Sequence, residues 1–176
     1  MSDATPSRAL HQSSTIRPVT PADVPGLKAV IDGTGLFPSA LLDDMLAGYL
    51  GGQGCDDLWL TVAASGQEDG AIAVAYVAPE RMTSGTWNVY LIAVLPAYQS
   101  RGVGAGLVRR IEDTLAARGA RVLLVETSGL PEFERTRAFY RTIGYDEEAR
   151  IREFYAPGED KVVFRKALAT GGPSTG

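Results

Sequence analysis

The sequence predicts an α/β fold: a single domain with a mixed, mostly antiparallel central sheet of about seven strands, flanked by four helices. Three observations predict it. The 176 residues suffice for one hydrophobic core. Four segments carry apolar residues at helical spacing, and seven have the apolar or alternating pattern of strands. Their order is β-α-α-β-β-β-α-β-α-β-β, which departs from the regular alternation of a parallel sheet.

Two helices follow the first predicted strand, Thr15 to Val19. In the first helix Thr20 is the N-cap and Pro21 takes the first position, where its missing N–H is not needed. Two glycines end this helix. The second helix opens at Phe37-Pro38-Ser39 and continues to Tyr49, with apolar residues at helical spacing.

Three strands come next. Leu58 to Ala64 and Ala71 to Ala78 are separated by the polar segment Ser65 to Gly70, which indicates a hairpin. The third strand, Thr86 to Leu95, is apolar at every position from Val89 onward. Such a run is typical of a strand that is buried on both faces.

Helices and strands alternate in the next part of the chain. The clearest helix, Gly104 to Arg118, has a buried stripe and a glycine directly after it. A strand at Val122 to Thr127 precedes a helix at Glu132 to Ile143, whose acidic first turn complements the helix dipole. Two final strands, around Glu147 to Phe154 and Lys161 to Ala167, complete the sheet.

The domain is predicted to span residues 15–169, between a flexible leader at 1–14 and a flexible tail at 170–176. The leader lacks the apolar stretch of a secretory signal. No run of about 18 apolar residues occurs, so we expect no membrane interaction and a cytoplasmic location.

Composition excludes several kinds of chemistry. The net charge of −4 argues against a nucleic-acid partner. Cys55 is the single cysteine and His11 the single histidine, which rules out an intrachain disulfide and a His/Cys zinc site. The same counts argue strongly against a Ser-His-Asp triad. No metal is therefore predicted. Any reaction must use carboxylates, tyrosine, backbone groups or a cofactor.

The segment Gln99 to Gly106 joins a buried strand to the start of a helix. Free N–H groups at a helix N-terminus bind phosphate, and glycines at 102 and 104 permit close approach. Arg101 adds a positive charge. The same pattern also fits an ordinary strand-to-helix turn. A P-loop is excluded because no lysine follows, and a dinucleotide fingerprint fails because Leu107 stands where its third glycine belongs.

Two motifs carry a family resemblance. Val94 to Val108 resembles the acetyl-CoA-binding motif Q/R-x-x-G-x-G/A of the Gcn5-related N-acetyltransferase (GNAT) superfamily, with Gln99, Gly102 and Gly104 at its fixed positions. Thr136 to Tyr145 resembles the family's A-x-x-F-Y-x-x-x-G-F/Y segment. The resemblance covers most of the folded chain. It implies the GNAT fold and acetyl-CoA as co-substrate.

The resemblance also implies where the cofactor binds. The pyrophosphate would contact backbone amides of the turn, and the pantetheine arm would follow a strand where two parallel strands separate. The N–H of Val94 would polarise the thioester carbonyl. The implied cofactor-binding residues are Ile92, Ala93, Val94, Gln99, Arg101, Gly102, Val103, Gly104, Ala105 and Gly106.

Two catalytic residues follow from the resemblance. Tyr140 matches a family tyrosine that can protonate the departing thiolate, although it can also simply pack beside Phe139. Glu126, at the end of a strand, is the candidate base that deprotonates an ammonium. Partial burial would raise its pKa. The alternatives for Glu126 are a solvated strand end or an ion pair with a neighbouring arginine.

The sequence defines the acceptor of the acetyl group less closely than it defines the cofactor. Val125 to Ser128 resembles the ribosomal-protein N-terminal acetyltransferases, but Ser128 to Pro131 departs from their R-x-x-N pattern, so a ribosomal substrate is not implied. The acceptor pocket is predicted to draw on Phe37 to Tyr49 and Phe154 to Gly158, which also fit a core helix and a turn. The acids at 43 and 44 either attract a cationic amine or form a solvated face.

The sequence thus predicts an N-acetyltransferase that moves the acetyl group of acetyl-CoA directly to a primary amine of a small molecule or peptide. General base and general acid catalysis would act in a ternary complex. The alternative is an acyl-CoA-binding regulatory module without turnover. A nucleotide-binding Rossmann domain is a third possibility, weakened by the glycine spacing. We expect a monomer or homodimer.

Overall fold

The computed structural model describes residues 15–52, 55–63 and 70–169. The predicted leader with His11, the predicted tail and most of the predicted connection from Ser65 to Gly70 lie outside the described residues. Within the described ranges, no helix is long and apolar enough to cross a membrane.

The described part of the chain contains seven strands and four α-helices in the predicted order. The strands are β1 (Thr15–Pro18), β2 (Leu58–Ala63), β3 (Ala71–Pro79), β4 (Thr86–Val94), β5 (Val122–Ser128), β6 (Asp146–Ala156) and β7 (Glu159–Ala167). The helices are α1 (Val24–Thr34), α2 (Leu41–Leu50), α3 (Val103–Ala117) and α4 (Glu134–Thr142). The observed ends differ from the predicted ones by a few residues.

The strands form one sheet in the order β1-β2-β3-β4-β5-β7-β6. All neighbours are antiparallel except β4 and β5, which confirms the predicted mixed, mostly antiparallel sheet. The parallel pairing is short, since it covers only Thr86 to Val89 against Val122 to Val125. The remainder of each strand leaves its parallel neighbour.

Helices cover both faces of the sheet, which explains why the central strands are apolar at consecutive positions. On one face α3 and α4 bury side chains such as Leu107 and Tyr140. On the other face α1 and α2 bury Leu27 and Leu42 against Trp59. Because side chains alternate along a strand, β2 sends residues into both cores.

Three helices start later than predicted, two of them after a 3₁₀ turn. Pro21–Asp23 and Pro131–Phe133 each form a short 3₁₀ turn before the α-helix begins. In both cases proline occupies the first position, where it costs no backbone hydrogen bond. The second helix begins at Leu41, after the predicted opening at Phe37-Pro38-Ser39.

The junction between β1 and α1 is held by a bidentate ion pair. Arg17 Nη1 and Nη2 donate to the Asp23 carboxylate over 2.7 and 2.6 Å. The same carboxylate accepts the N–H of Thr20 over 2.7 Å. The hydrogen bonds from Arg17 are the main cause that lowers the pKa of Asp23 to about 2.

We expect Asp23→Asn to lower the free energy of unfolding by about 1–2 kcal/mol at pH 7. The pKa is lower in the folded state, so the contribution is complete above the unfolded pKa and is lost as the pH falls toward 2. Urea unfolding between pH 7 and pH 3 measures the difference. The exposed Asp32→Asn is the control, and an equal effect of both variants at pH 7 would contradict the assignment.

Candidate active site

A cleft opens where β4 and β5 separate. Their parallel pairing ends at Val89 and Val125. Beyond this point β4 stays with β3, and β5 stays with β7. On β3 the consecutive residues 76 and 77 pair with Leu91 and Val89, so Tyr90 is an extra residue in β4. Such a bulge bends a strand and redirects its side chains, which here widens the gap.

The cleft contains a cavity of about 450 Å³. Its walls come from both separating strands, from α4, from the loop before α2 and from the hairpin of β6 and β7. Three predicted site residues meet there, namely Ile92, Glu126 and Tyr140. The structure therefore brings the candidate base and the candidate acid to one cavity.

Two backbone N–H groups of β4 point into this cleft. Leu95 N–H donates to the Ile72 carbonyl on β3 over 2.9 Å. Antiparallel strands alternate residues that face the partner strand with residues that face away. Ile92 and Val94 are therefore directed away from β3, toward the gap. The Val94 carbonyl accepts the Gln99 side-chain N–H over 3.0 Å, which agrees with this direction.

Ala93 differs from the other predicted cofactor residues of β4. It lies between Ile92 and Val94, so its N–H and carbonyl face β3. Its side chain is buried in the core under α1 and α2. Ala93 can therefore support the cofactor strand but offers it no hydrogen bond.

The predicted phosphate turn has the geometry of a helix N-terminus. The first bond within α3 runs from Gly106 N–H to the Gly102 carbonyl over 2.8 Å. The N–H groups of Val103, Gly104 and Ala105 precede it and have no carbonyl of α3 to bind. They are the groups that bind anions at a helix start.

The two motif glycines have different roles. Gly102 has φ of 82°, a left-handed conformation that favours glycine, and a Cβ there would meet open space. At Gly104 a Cβ would face Phe139 and Val94 at 3.7 and 3.9 Å. The contacts at Gly104 are ordinary van der Waals distances. Clearance for a phosphate at both glycines stays a prediction.

Two guanidinium groups flank the turn. Arg101, which was predicted, lies 5.8 Å from the Tyr98 ring. Arg135 of α4 donates to the Ser100 hydroxyl. Sequence reasoning missed Arg135, because a single arginine in an amphipathic helix resembles any solvated position. Its spacing from the Phe139-Tyr140 pair was the available signal, since residues four apart lie on the same helix face.

Tyr140 is buried and lines the cavity. It is 1% exposed, and its ring packs against Phe139, Tyr145 and Phe164 with centroids 5.1, 5.6 and 5.7 Å away. Burial raises the pKa of its hydroxyl above the ordinary value of 10.0. In the described part of the chain nothing hydrogen-bonds to this hydroxyl. The ring therefore packs beside Phe139, as the packing alternative predicted, whereas its hydroxyl is available to a ligand in the cavity.

Glu126 faces the cavity at the end of β5, and its Oε2 lies 3.1 Å from Lys161 Nζ. Lys161 comes from the adjacent β7, and its Nζ also lies 3.8 Å from the centroid of the Phe154 ring. The ion-pair alternative anticipated an arginine, and the observed partner is a lysine. The role of Glu126 as a base stays a prediction.

The predicted acceptor region is only partly at the cavity. Phe37 and Tyr155 line it, as expected. Tyr49 instead donates its hydroxyl to the Val19 carbonyl over 3.2 Å. Asp43 pairs with Lys28 at 2.6 Å on the helix surface, and Asp44 is exposed beside it. The solvated-face interpretation of these two acids is the one that the structure supports.

Comparison with known proteins shows to which protein family the chain is similar. The acetyltransferase (GNAT) domain family matches residues 46–147. The chain is 32% identical to the N-alpha-acetyltransferase RimI of Mycobacterium tuberculosis, over 62% of this chain and 67% of that protein. A crystal structure of a GNAT-family protein from Desulfovibrio desulfuricans superposes with a TM-score of 0.79 at 28% identity, covering 89% of this chain and 100% of that one.

The chain belongs to the GNAT acetyltransferase family. It is also 31% identical, over 93% of its length, to an uncharacterized protein of Mycobacterium leprae. It spans only 44% of the length of that relative. The predicted fold and the family resemblance are therefore confirmed.

Proposed function

We propose that the protein transfers the acetyl group of acetyl-CoA directly to a primary amine of a small molecule or peptide. The observation that carries the proposal is the cavity between β4 and β5, whose walls include Ile92, Glu126 and Tyr140. A backbone donor strand, a carboxylate and a buried hydroxyl are the groups that amide formation from a thioester requires. The N-alpha-acetyltransferase relative supports an amine as the acceptor.

In this proposal the cofactor lies along β4 and the start of α3. Its pyrophosphate binds the N–H groups of Val103 to Ala105, with Arg101 and Arg135 close to its charge. The pantetheine arm follows the cleft-facing backbone of Ile92 and Val94. The Val94 N–H then donates to the thioester carbonyl, where negative charge develops during the reaction.

The chemistry uses two side chains. Glu126 takes a proton from the ammonium of the acceptor, which frees the nitrogen lone pair. The nitrogen attacks the thioester carbonyl, a C–N bond forms, and the C–S bond breaks. Tyr140 gives its proton to the departing thiolate, which leaves as coenzyme A. The second proton, which the nitrogen loses as it becomes the neutral amide, restores the Tyr140 phenol. Lys161 holds the Glu126 carboxylate in position through the ion pair at 3.1 Å.

A second candidate is an acyl-CoA-binding module without turnover. It is favoured by the ion pair of Glu126 with Lys161, because the ion pair already engages an oxygen of the carboxylate that the base role requires. Thiol release separates the two candidates. Acetyl-CoA is mixed with a panel of primary amines, and free coenzyme A is followed with a thiol reagent. Amine-dependent release supports the enzyme, whereas binding of acetyl-CoA without release for every amine overturns it.

The phosphate turn is tested by Gly102→Ala. A non-glycine residue in the left-handed conformation costs about 1–2 kcal/mol, so we expect the turn of the free variant to relax. Restoring the turn on binding would then weaken the affinity for acetyl-CoA roughly 5–30-fold. Calorimetric titration measures the dissociation constant. Gly48→Ala is the control, because Gly48 lies in α2 with nothing within 4 Å of an added Cβ. Equal affinities of the two variants would place the pyrophosphate elsewhere.

A further inference from the structure

We infer that the acceptor is an amine without a carboxylate on the adjacent carbon, as in an amino-acid amide or a peptide N-terminus, and that Glu159 and Tyr155 select it. This inference rests on the proposed function, because it concerns the acceptor side of the same cavity. Both residues come from the hairpin of β6 and β7, and both line the cavity together with Glu126.

The first observation behind this inference is the charge of the cavity wall. Its lining contains two carboxylates, Glu126 and Glu159, and no lysine, arginine or histidine among the described residues. The positive charge of Lys161 is engaged by Glu126. In the described part of the chain, no ion pair or hydrogen bond reaches the Glu159 carboxylate. One negative charge at the cavity thus remains without a counter-charge.

The second observation is that aromatic rings line the same cavity. The rings of Phe37, Tyr90 and Tyr155 line the same cavity, and Tyr155 is 46% exposed. Aromatic faces attract cations and also cover the apolar carbons beside an amine. Burial is the main cause that raises the pKa of Tyr155, and the charges of Glu126 and Glu159 add to it. Both carboxylates and this phenol line the same cavity.

These groups discriminate between acceptors through repulsion. A free amino acid would bring its own carboxylate next to Glu126 and Glu159, and the described lining offers it no cation. Like charges placed together across a binding site are strongly unfavourable. An amide or a peptide N-terminus replaces that charge by a neutral group and keeps the ammonium. The cavity therefore favours an amine whose adjacent carbon carries a neutral group in place of a carboxylate.

The matched pair phenylalaninamide and phenylalanine tests the inference on the full chain with acetyl-CoA. We expect the amide to have a kcat/KM at least about tenfold higher. Calorimetry on the protein saturated with coenzyme A measures the binding of both compounds separately. Tighter binding of the amide supports the inference even if neither compound is acetylated, in which case the proposed function is the part that fails. Equal binding, or no binding of the amide, overturns the inference.

Two variants test whether Glu159 causes the preference for the amide over the free amino acid. Glu159→Gln should reduce the ratio of amide to acid, measured by kcat/KM and by binding, to within about threefold of unity. Glu148→Gln is the matched control, since Glu148 is an exposed carboxylate on β6 outside the cavity lining. It should leave the ratio unchanged. Retention of the full preference in Glu159→Gln, or an equal loss in both variants, would contradict the role of Glu159.

Discussion

Replacing Tyr140 with Phe is expected to reduce kcat by about 10²–10³-fold and to leave the affinity for acetyl-CoA nearly intact. The substitution keeps the packing against Phe139, Tyr145 and Phe164 and removes only the hydroxyl. Without that proton donor, coenzyme A must leave as an unprotonated thiolate. Steady-state kinetics with thiol detection and calorimetric titration measure the two quantities.

Tyr145→Phe is the control for this variant. Tyr145 is buried in the same aromatic cluster, but its hydroxyl donates to Glu112 over 2.9 Å and it is not part of the cavity lining. We expect it to lower stability with little change in kcat. An unchanged kcat in Tyr140→Phe, or equal losses in both variants, would remove the acid role.

The pH dependence should reflect the burial of Tyr140. Since burial raises its pKa, the hydroxyl stays protonated throughout the neutral range. Deprotonation of Tyr140 should therefore not produce a basic limb in kcat below about pH 10.

Replacing Glu126 with Gln is expected to reduce kcat/KM by about 10²–10⁴-fold. The amide keeps the shape of the side chain but cannot accept a proton from the ammonium. Steady-state kinetics with the most active amine of the panel measure the effect. If kcat/KM is unchanged, the base lies elsewhere, for example in a water chain.

The ion pair requires a further control for this variant. Glu126→Gln leaves Lys161, whose side chain is 11% exposed, without its counter-charge. Loss of folding is distinguished from loss of the base by the melting temperature and by acetyl-CoA affinity. Glu147→Gln, which removes an ion pair of β6 with Arg141 at 2.7 Å, reports the effect of losing an ion pair outside the cavity. It should retain kcat/KM to within about threefold.

The order of helices and strands could be predicted because each element has a clear period and a clear end. The α3 stripe and the apolar run of β4 are examples. The bulge at Tyr90 could not be predicted in the same way. It lies within an uninterrupted apolar run, so an extra residue leaves no mark on the pattern. The divergence of β4 from β5 was expected only through the family resemblance.

The candidate site could be predicted where it lies on segments that carry the family resemblance. Glu126 and Tyr140 were named from the sequence, and the structure places both at the cavity. Tyr155 was named as part of the predicted acceptor region, whereas Lys161 and Glu159 were not named. Both of these residues lie on β7, which pairs with β5, a strand far away in the chain. The register of such a pair depends on the assembled sheet, so the contact of Lys161 with Glu126 has no local signal.

Direct transfer from acetyl-CoA to an amine is tested by mass analysis of protein and products. The protein is incubated with acetyl-CoA, with and without the most active amine of the panel. We predict equal amounts of acetylated amine and coenzyme A when the amine is present, and neither coenzyme A release nor acetylated protein when it is absent. An acetylated protein that forms without amine, for example on the exposed Cys55, and then passes its acetyl group to the amine would contradict direct transfer.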